Sequence, residues 1–160
     1  ALMMSRYNPT KDYTNLETIT GVYEKETSPG GEIFKTWGEY IGNVFEETNK
    51  VNAKRIMLYL FSEKEEKDIW EIKKALNLKE SDFEVEQKIN MLIAGDLLER
   101  GRIWEKYKVA DDPTYELVFR TLYQYGIEKK EFNAHEQIRR MMGLDNFTNK
   151  TASQKRQGKN

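Results

Sequence analysis

The sequence predicts a mainly α-helical protein organised around a winged helix-turn-helix, which has three helices and a β-hairpin wing, with additional flanking helices. Three observations between residues 68 and 108 predict this fold. Apolar residues recur at helical spacing in two segments separated by a short turn. The second segment opens on Ser81 with Glu84 three residues later, which is the pattern of a capping box. Gly101-Arg102 then separates two short segments typical of a β-hairpin, and a hairpin after a helix-turn-helix forms a wing.

Each of the three predicted helices carries an apolar stripe that would face a common core. Gly95 is the predicted stop signal of the third helix. Residues 62–67, between the first and second helices, are mostly charged and are expected to be solvated. The stripes are Ala53, Ile56, Met57, Leu60 and Phe61 in the first helix, Ile69, Ile72, Leu76 and Leu78 in the second, and Val85, Ile89, Leu92 and Ile93 in the third.

The wing is predicted to have a first strand over residues 97–100, a tight turn at Gly101-Arg102 and a second strand over residues 103–109. Trp104 would lie in the second strand. For its ring, packing on the core of the module is favoured over a role in binding.

Five segments are predicted along the chain. They are an extended lead-in over residues 1–13, a helical pair over 14–48, the winged-helix module over 49–110, C-terminal helices over 111–145 and a basic tail over 146–160. The tail has almost nothing apolar to bury and is therefore predicted to be disordered. Its cations, which follow Asp145 without any further acidic residue, are Lys150, Lys155, Arg156 and Lys159.

Capping residues and glycines predict where the flanking helical pair begins and ends. Thr14 with Glu17 is a capping-box pair that would open a helix over residues 15–27. Ser28-Pro29-Gly30-Gly31 breaks that helix. The next helix has the clearest apolar period of the chain, formed by Ile33, Phe34, Trp37, Ile41, Val44 and Phe45.

Two glycines, Gly38 and Gly42, lie within this second flanking helix. The favoured interpretation is that they let another helix approach closely, rather than that they bind a ligand. Residues 49–52 are interpreted as a break before the first helix of the module.

The C-terminal helices are predicted from two capping patterns. Asp112 before Pro113 is a good helix start, because the carboxylate accepts an amide hydrogen bond and proline at the first helical position gives up no needed donor. Gly126 is the predicted end of that helix. Asn133 with Glu136 would cap a last short helix.

Composition limits the possible class of protein. The 160 residues are 38% hydrophobic and 12% aromatic, which is enough for a modest core. No apolar run is long enough to span a bilayer. With no cysteine, there is no disulfide or thiolate metal site, and a cytoplasmic location is the default expectation. The chain begins with Ala1 rather than Met, which suggests an excised piece of a longer protein, although a processed or tagged chain would look the same.

Catalytic motifs are not found, so this chain is not expected to be an enzyme or to hold a cofactor. A phosphate-binding loop needs glycines ahead of Lys and Ser or Thr, and Gly30-Gly31 lacks them. Gly158-Lys159-Asn160 precedes no helix. His135 is the sole histidine and has no partners at metal-ligand spacing. For Asp111-Asp112, a helix cap is favoured over an acid–base pair.

Nucleic-acid binding is the activity that the motif itself indicates, because the second helix of such a pair normally enters the major groove. Asp82, Glu84 and Glu86 on that helix would repel phosphates, so the wing is better suited to binding, weakly and with strong salt dependence. Net charge is −1, which gives no overall attraction to nucleic acid. The candidate nucleic-acid-binding residues are Lys79, Gln87, Lys88, Asn90, Arg100, Arg102, Lys106 and Lys108.

The order of parts also carries a resemblance. Residues 22–34, a helix ending at a Gly-Gly break before an aromatic-rich helix, resemble the lid of archaeal-type AAA+/STAND ATPases. Residues 69–108 resemble the winged helix that follows the lid there, including Leu97-Leu98-Glu99-Arg100. Residues 107–113 resemble the Tyr-x-x-x-Asp-Pro segment after the wing, although the Asp is doubled here and Pro29 precedes the lid glycines. The resemblance covers about residues 14–125.

This resemblance implies a non-catalytic C-terminal part of such an ATPase, with any nucleotide bound on a domain that this chain lacks. Three hypotheses follow. The first is a binding and regulatory domain of a larger ATPase that contacts duplex DNA, its own ATPase core, or both. The second is a free-standing winged-helix transcription regulator that dimerises through its flanking helices. The third is a protein-interaction winged helix without a nucleic-acid role. No membrane partner is expected, and the sequence leaves the oligomeric state open.

Overall fold

The computed structural model describes residues 15–45 and 50–144. Within these residues, seven helices and a two-stranded antiparallel sheet confirm the prediction of a mainly α-helical chain. In chain order the elements are α1 (Leu16–Thr27), α2 (Glu32–Val44), α3 (Lys50–Ser62), α4 (Ile69–Leu76), α5 (Asp82–Ala94), β1 (Leu98–Arg100), β2 (Tyr107–Val109), α6 (Pro113–Glu128) and α7 (Ala134–Met141). No helix among the described residues has the length and apolar character to cross a membrane. The predicted lead-in and basic tail lie outside these residues.

Two compact units divide the chain. Among the described residues, the first unit contains residues 15–36 and 132–144, so that it holds α1, the beginning of α2 and α7. The second unit contains residues 37–45 and 50–131, with the rest of α2, α3 to α6 and the hairpin.

In the first unit, α1 packs against α7. Asn15 caps α1, its side chain accepting from the Glu17 amide at 2.8 Å. The cap was predicted at Thr14, which lies outside the described residues. A side chain at position 15 can cap because the first amides of a helix have no intrahelical acceptor. Arg139 of α7 forms an ion pair with Glu17, 3.3 Å from guanidinium nitrogen to carboxylate oxygen.

The turn between α1 and α2 depends on its glycines, as the sequence indicated. Gly30 adopts a φ of 100°, which side chains rarely tolerate. At Gly31 a Cβ atom would lie only 2.2 Å from the Glu26 carbonyl oxygen. The break at Ser28-Pro29-Gly30-Gly31 is therefore confirmed.

In the second unit, α3 is the central helix and packs against α4, α5, α6 and β2. Ala53, Ile56, Met57 and Leu58 are completely buried. The predicted break over residues 49–52 is wrong for residues 50–52, because α3 begins at Lys50.

Aromatic rings fill the space between α3 and α6. Phe119 lies with its ring centroid 5.0 Å from that of Tyr123, 5.5 Å from Phe61 and 5.7 Å from Phe45. Tyr115 packs 5.5 Å from Phe61. These contacts bury the inward face of α6 against the central helix.

The ends of α6 agree only in part with the prediction. Asp112 caps the helix, and its Oδ1 atom accepts from the amides of Thr114 and Tyr115, which confirms the predicted start. The predicted end at Gly126 is wrong. No side chain or backbone atom crowds Gly126, and the helix continues to Glu128, after which Lys129 caps it in a left-handed conformation.

Both α4 and α5 begin with a capping box. Ser81 and Glu84 form the predicted capping box of α5, and the helix ends at Gly95 as expected. Asp68 and Glu71 form a second capping box on α4, which was not predicted. Val85, Ile89 and Leu92 of α5 are buried, in agreement with the predicted stripe, whereas its fourth residue, Ile93, is only partly buried.

The close-approach interpretation of the two helix glycines is not supported at Gly42, where a Cβ atom would meet nothing within 4 Å. At Gly38 a Cβ atom would lie 4.0 Å from the Leu122 side chain, which is ordinary van der Waals contact. The tight approach in this region is instead at Gly95, where a Cβ atom would lie 2.7 Å from Val44. The spacing of residues in the sequence indicates which side of a helix they share, but it does not indicate which neighbouring element packs against that side.

The hairpin is shorter than predicted. β1 and β2 pair antiparallel with Leu98 opposite Val109, and residues 101–106 form a six-residue loop rather than a two-residue turn. Lys67 adds an isolated bridge to Tyr107 on the other side of β2, through hydrogen bonds of 3.0 and 2.8 Å. Residues 62–67 were predicted to be solvated, but Lys67 at the end of this segment pairs with β2 on the side opposite β1.

Candidate nucleic-acid interface

Residues 101–106, called here the hairpin loop, are held by hydrogen bonds at both ends. The Gly101 amide donates to the Lys106 carbonyl oxygen at 2.7 Å, and the Lys106 amide donates to the Ile103 carbonyl oxygen at 3.1 Å. Glu105 adopts a left-handed backbone conformation with a φ of 60°, which lets the chain turn within the loop. The loop is thus closed by its own backbone.

Glu66 fixes the loop from outside. Its Oε1 accepts from the Arg102 amide at 2.8 Å and its Oε2 from the Ile103 amide at 3.0 Å. These two backbone hydrogen bonds lower the pKa of the Glu66 carboxyl, because they favour its charged form. Sequence reasoning missed this role, since Glu66 is distant in sequence from the amides it binds and no local pattern marks it.

Trp104 is 86% exposed, so the favoured expectation that it packs on the core is wrong. Ile103 beside it is 58% exposed. The reason is the loop length: both residues lie in the loop rather than in β2, and Tyr107 takes the buried position at 3% exposure. The hairpin loop therefore presents two large apolar side chains to solvent.

The two arginines of the candidate set are exposed beside these apolar residues. The Arg100 guanidinium donates to Asn90 Oδ1 at 3.3 Å. Neither Arg100 nor Arg102 forms an ion pair with any residue that the structure describes. Arg100 and the hairpin loop together line a concavity of about 320 Å³.

Three lysines of the candidate set are already occupied by carboxylates. Lys88 pairs with Glu80, and its side chain is only 12% exposed. Lys106 lies 3.4 Å from Glu71. Lys108 lies 3.5 Å from Glu99 across the two strands. An incoming phosphate would have to displace a carboxylate at each of these positions.

The remaining candidates lie on or before α5. Gln87 and Asn90 are exposed on that helix, and Lys79 precedes it with its Nζ atom 3.0 Å from Asn77 Oδ1. They share this surface with exposed carboxylates. Glu86 makes no ion pair with a described residue, and Glu84 serves the capping box. Among the described residues, the outward surface of α5 is therefore acidic and lacks an exposed cation.

Other aromatic residues of the second unit are also exposed, and among them Trp70 and Phe83 lie on the helices beside the hairpin and were not predicted. Trp70 on α4 is 67% exposed, with Lys74 Nζ 4.8 Å from its ring centroid. Phe83, in the first turn of α5, is 66% exposed. Their positions outside the apolar stripes could have revealed them, because both fall between the residues that face the core.

Two of the residues considered for chemistry, His135 and Asp112, have structural partners, and Asp111 is exposed. His135 Nδ1 lies 2.6 Å from Glu24 Oε1 within the first unit. Asp112 caps α6. In the described part of the chain, no three histidine, cysteine or acidic residues come together in a way that could hold a metal ion.

Comparisons of the chain with protein-family models, with curated proteins and with solved structures found no match.

Proposed function

We propose that the second unit contains a winged helix that binds duplex DNA weakly through its hairpin rather than through α5. The order of elements supports this proposal. Three helices, with an extended residue at Lys67 after the first, lead into an antiparallel hairpin, which is the arrangement of a winged helix-turn-helix. On this proposal the hairpin is the wing.

The observation that carries the proposal is the pair of exposed arginines, Arg100 and Arg102, which form no ion pair with a described residue, although the charge of Arg102 acts on the Glu66 carboxylate. A guanidinium that is already unpaired can bind a phosphate without first losing an ion pair. Two such groups support only a few phosphate contacts, so binding is weak and falls as salt rises.

The acidic surface of α5 explains why this helix is not proposed as the reading element. Direct readout requires side chains to enter the major groove between two phosphate backbones. Glu84 and Glu86 would approach those phosphates, and the lysine of this helix, Lys88, is engaged by Glu80. Specificity for a base sequence is accordingly expected to be low.

Fluorescence anisotropy with a labelled duplex tests the proposal. We expect the double variant Arg100→Glu/Arg102→Glu to lose at least about tenfold in affinity and the slope of log K against log salt to fall by about 2, one per phosphate contact. The titration is run between about 50 and 200 mM salt, where such contacts weaken strongly.

The matched control is Lys25→Glu/Lys35→Glu, which changes net charge equally on exposed residues of the first unit. If both double variants weaken binding equally, the effect is one of net charge and not of the hairpin. If the unaltered chain binds no duplex at about 50 mM salt, duplex binding is excluded.

A second candidate function is protein interaction through the surface of α4 and α5. The exposed rings of Trp70 and Phe83 and the acidic residues of α5 favour it, because exposed aromatics often mark interaction surfaces. A partner would then be a protein with basic and apolar groups. Loss of capture of such a partner in the Trp70→Ala/Phe83→Ala variant would identify this function.

Membership in a larger ATPase stays a prediction from the resemblance to AAA+/STAND proteins. A Gly-Lys-Ser/Thr loop in the reading frame upstream would support it, because that loop is the phosphate-binding element the prediction requires. Sedimentation distinguishes a free-standing transcription regulator from a domain of a larger ATPase, because a tight symmetric dimer is expected only for the regulator.

A further inference from the structure

We propose that the hairpin loop holds an unpaired nucleobase, so that the module prefers a junction between duplex and single strand over an intact duplex. Trp104 would be the stacking platform, and Arg100 and Arg102 would bind the adjoining phosphates. This inference rests on the proposed function and adds to it the class of nucleic acid that the hairpin recognises.

The exposure of Trp104 is maintained by the structure around it. An indole that is 86% exposed leaves a large apolar surface in water. The loop that carries it is closed by two backbone hydrogen bonds and by both carboxylate oxygens of Glu66. Because the loop is held in place, the ring is presented to solvent without the ordering cost that a flexible loop would bring to binding.

The shape and chemistry beside the ring suit a base and its phosphates. Arg100, Arg102 and Trp104 line the same concavity of about 320 Å³, together with Lys106 and one carboxylate, that of Glu105. Single-stranded nucleic acid is bound where a base stacks on an aromatic ring and cations follow its backbone. The hairpin loop provides both groups around one space.

An unpaired base fits this surface better than a base step of an intact duplex. Insertion of a side chain into a duplex requires unstacking, and that cost is repaid by a bent duplex that contacts more of the protein. Here Lys88 and Lys106 are engaged by Glu80 and Glu71, and α5 is acidic, so few such contacts can form. A base that is already unstacked avoids this cost.

The test compares three DNA ligands by fluorescence anisotropy with the full 160-residue chain. The ligands are a blunt duplex, the same duplex with a single-stranded overhang and the overhang strand alone. We expect the overhang duplex to bind at least about fivefold more tightly than the blunt duplex, since one stacked base contributes roughly that much or more. A fluorescent adenine analogue, 2-aminopurine, at the first unpaired position should be quenched on binding.

The decisive variant is Trp104→Ala, with Trp70→Ala as its control, because Trp70 is another exposed tryptophan of the same unit. Trp104→Ala should lower affinity for the overhang duplex by about 5- to 100-fold, lower affinity for the blunt duplex by much less, and abolish the quenching. Trp104→Phe should retain most of the preference, since a phenyl ring also stacks. Trp70→Ala should have no effect.

Equal affinity for blunt and overhang duplexes would overturn the inference while leaving duplex binding intact. The inference would also be overturned if Trp104→Ala and Trp70→Ala lowered affinity for the overhang duplex equally. Failure of the proposed function is a different result, in which the chain binds none of the three ligands or Arg100→Glu/Arg102→Glu binds them as well as the unaltered chain. A Trp104→Ala variant that binds DNA normally but loses a protein partner would assign the indole to protein interaction and overturn the inference.

Discussion

Glu66 shows how one side chain can connect parts of the chain that are distant in sequence. Its two carboxylate oxygens accept from the successive amides of Arg102 and Ile103. Gly101 leaves room for this carboxylate, because a Cβ atom there would lie 2.3 Å from Glu66 Oε2 and 3.0 Å from the Lys106 carbonyl oxygen. The position of the exposed Trp104 therefore depends on a carboxylate outside the hairpin.

Acidification is expected to release the hairpin loop. The two amide hydrogen bonds lower the folded-state pKa of Glu66 below its ordinary value of about 4.3. The contribution of Glu66 to loop stability is therefore fully present above that ordinary value and is lost as the pH falls through the lower folded-state pKa.

The Glu66→Gln variant should show the same release at neutral pH. A glutamine amide offers one acceptor oxygen, so one of the two loop amides loses its partner. Hydrogen exchange of the Arg102 and Ile103 amides should become faster by several-fold, with helix amides unchanged. Glu65→Gln, an exposed neighbour, is the control. Unchanged protection of both amides in Glu66→Gln would contradict this role.

Among the secondary-structure elements, α5 was predicted with the correct start and end, because its capping box marks the start and Gly95 marks the end. Ser81 and Glu84 satisfy each other's backbone amides within a single turn. The hairpin, by contrast, was predicted with strands too long. Alternation from Ile103 to Val109 resembles a strand, but only residues 107–109 pair with β1.

Removal of the α5 cap should weaken the second unit measurably. We expect Ser81→Ala to lower the free energy of unfolding by about 1 kcal/mol, because the Glu84 amide loses its acceptor. Urea unfolding followed by circular dichroism measures this change. Ser81→Asn, which retains a capping oxygen, should stay close to the unaltered chain. Equal losses in both variants would show that the cap is not the cause.

For the molecule as a whole, the folding of the second unit depends on α3 and on the residues that meet it. Ile56 and Met57 of α3 and Ile89 of α5 are completely buried. The hairpin that carries the proposed interface also packs on α3 through β2. Loss of this core would therefore remove the binding surface as well.

A charge in this core should unfold the second unit. Ile89→Asp places a carboxylate at a completely buried position, which costs several kcal/mol out of a total stability of roughly 5–15 kcal/mol. Circular dichroism should show the loss of the cooperative thermal transition. Gln87→Asp, on the exposed side of the same helix, should retain that transition. A cooperative Ile89→Asp variant would contradict the buried position of this residue.

The sequence by itself determined that the chain is mainly helical, the caps at Ser81 and Asp112, and the buried positions of Val85, Ile89 and Leu92 in α5. These features depend on hydrogen bonds and apolar spacing within a few residues, so the local sequence specifies them. Only the tertiary structure decided that Trp104 is exposed, that Lys88 and Lys106 are paired, and that the hairpin loop is bound by Glu66. Each of these depends on where other elements place a partner, which the local sequence does not specify.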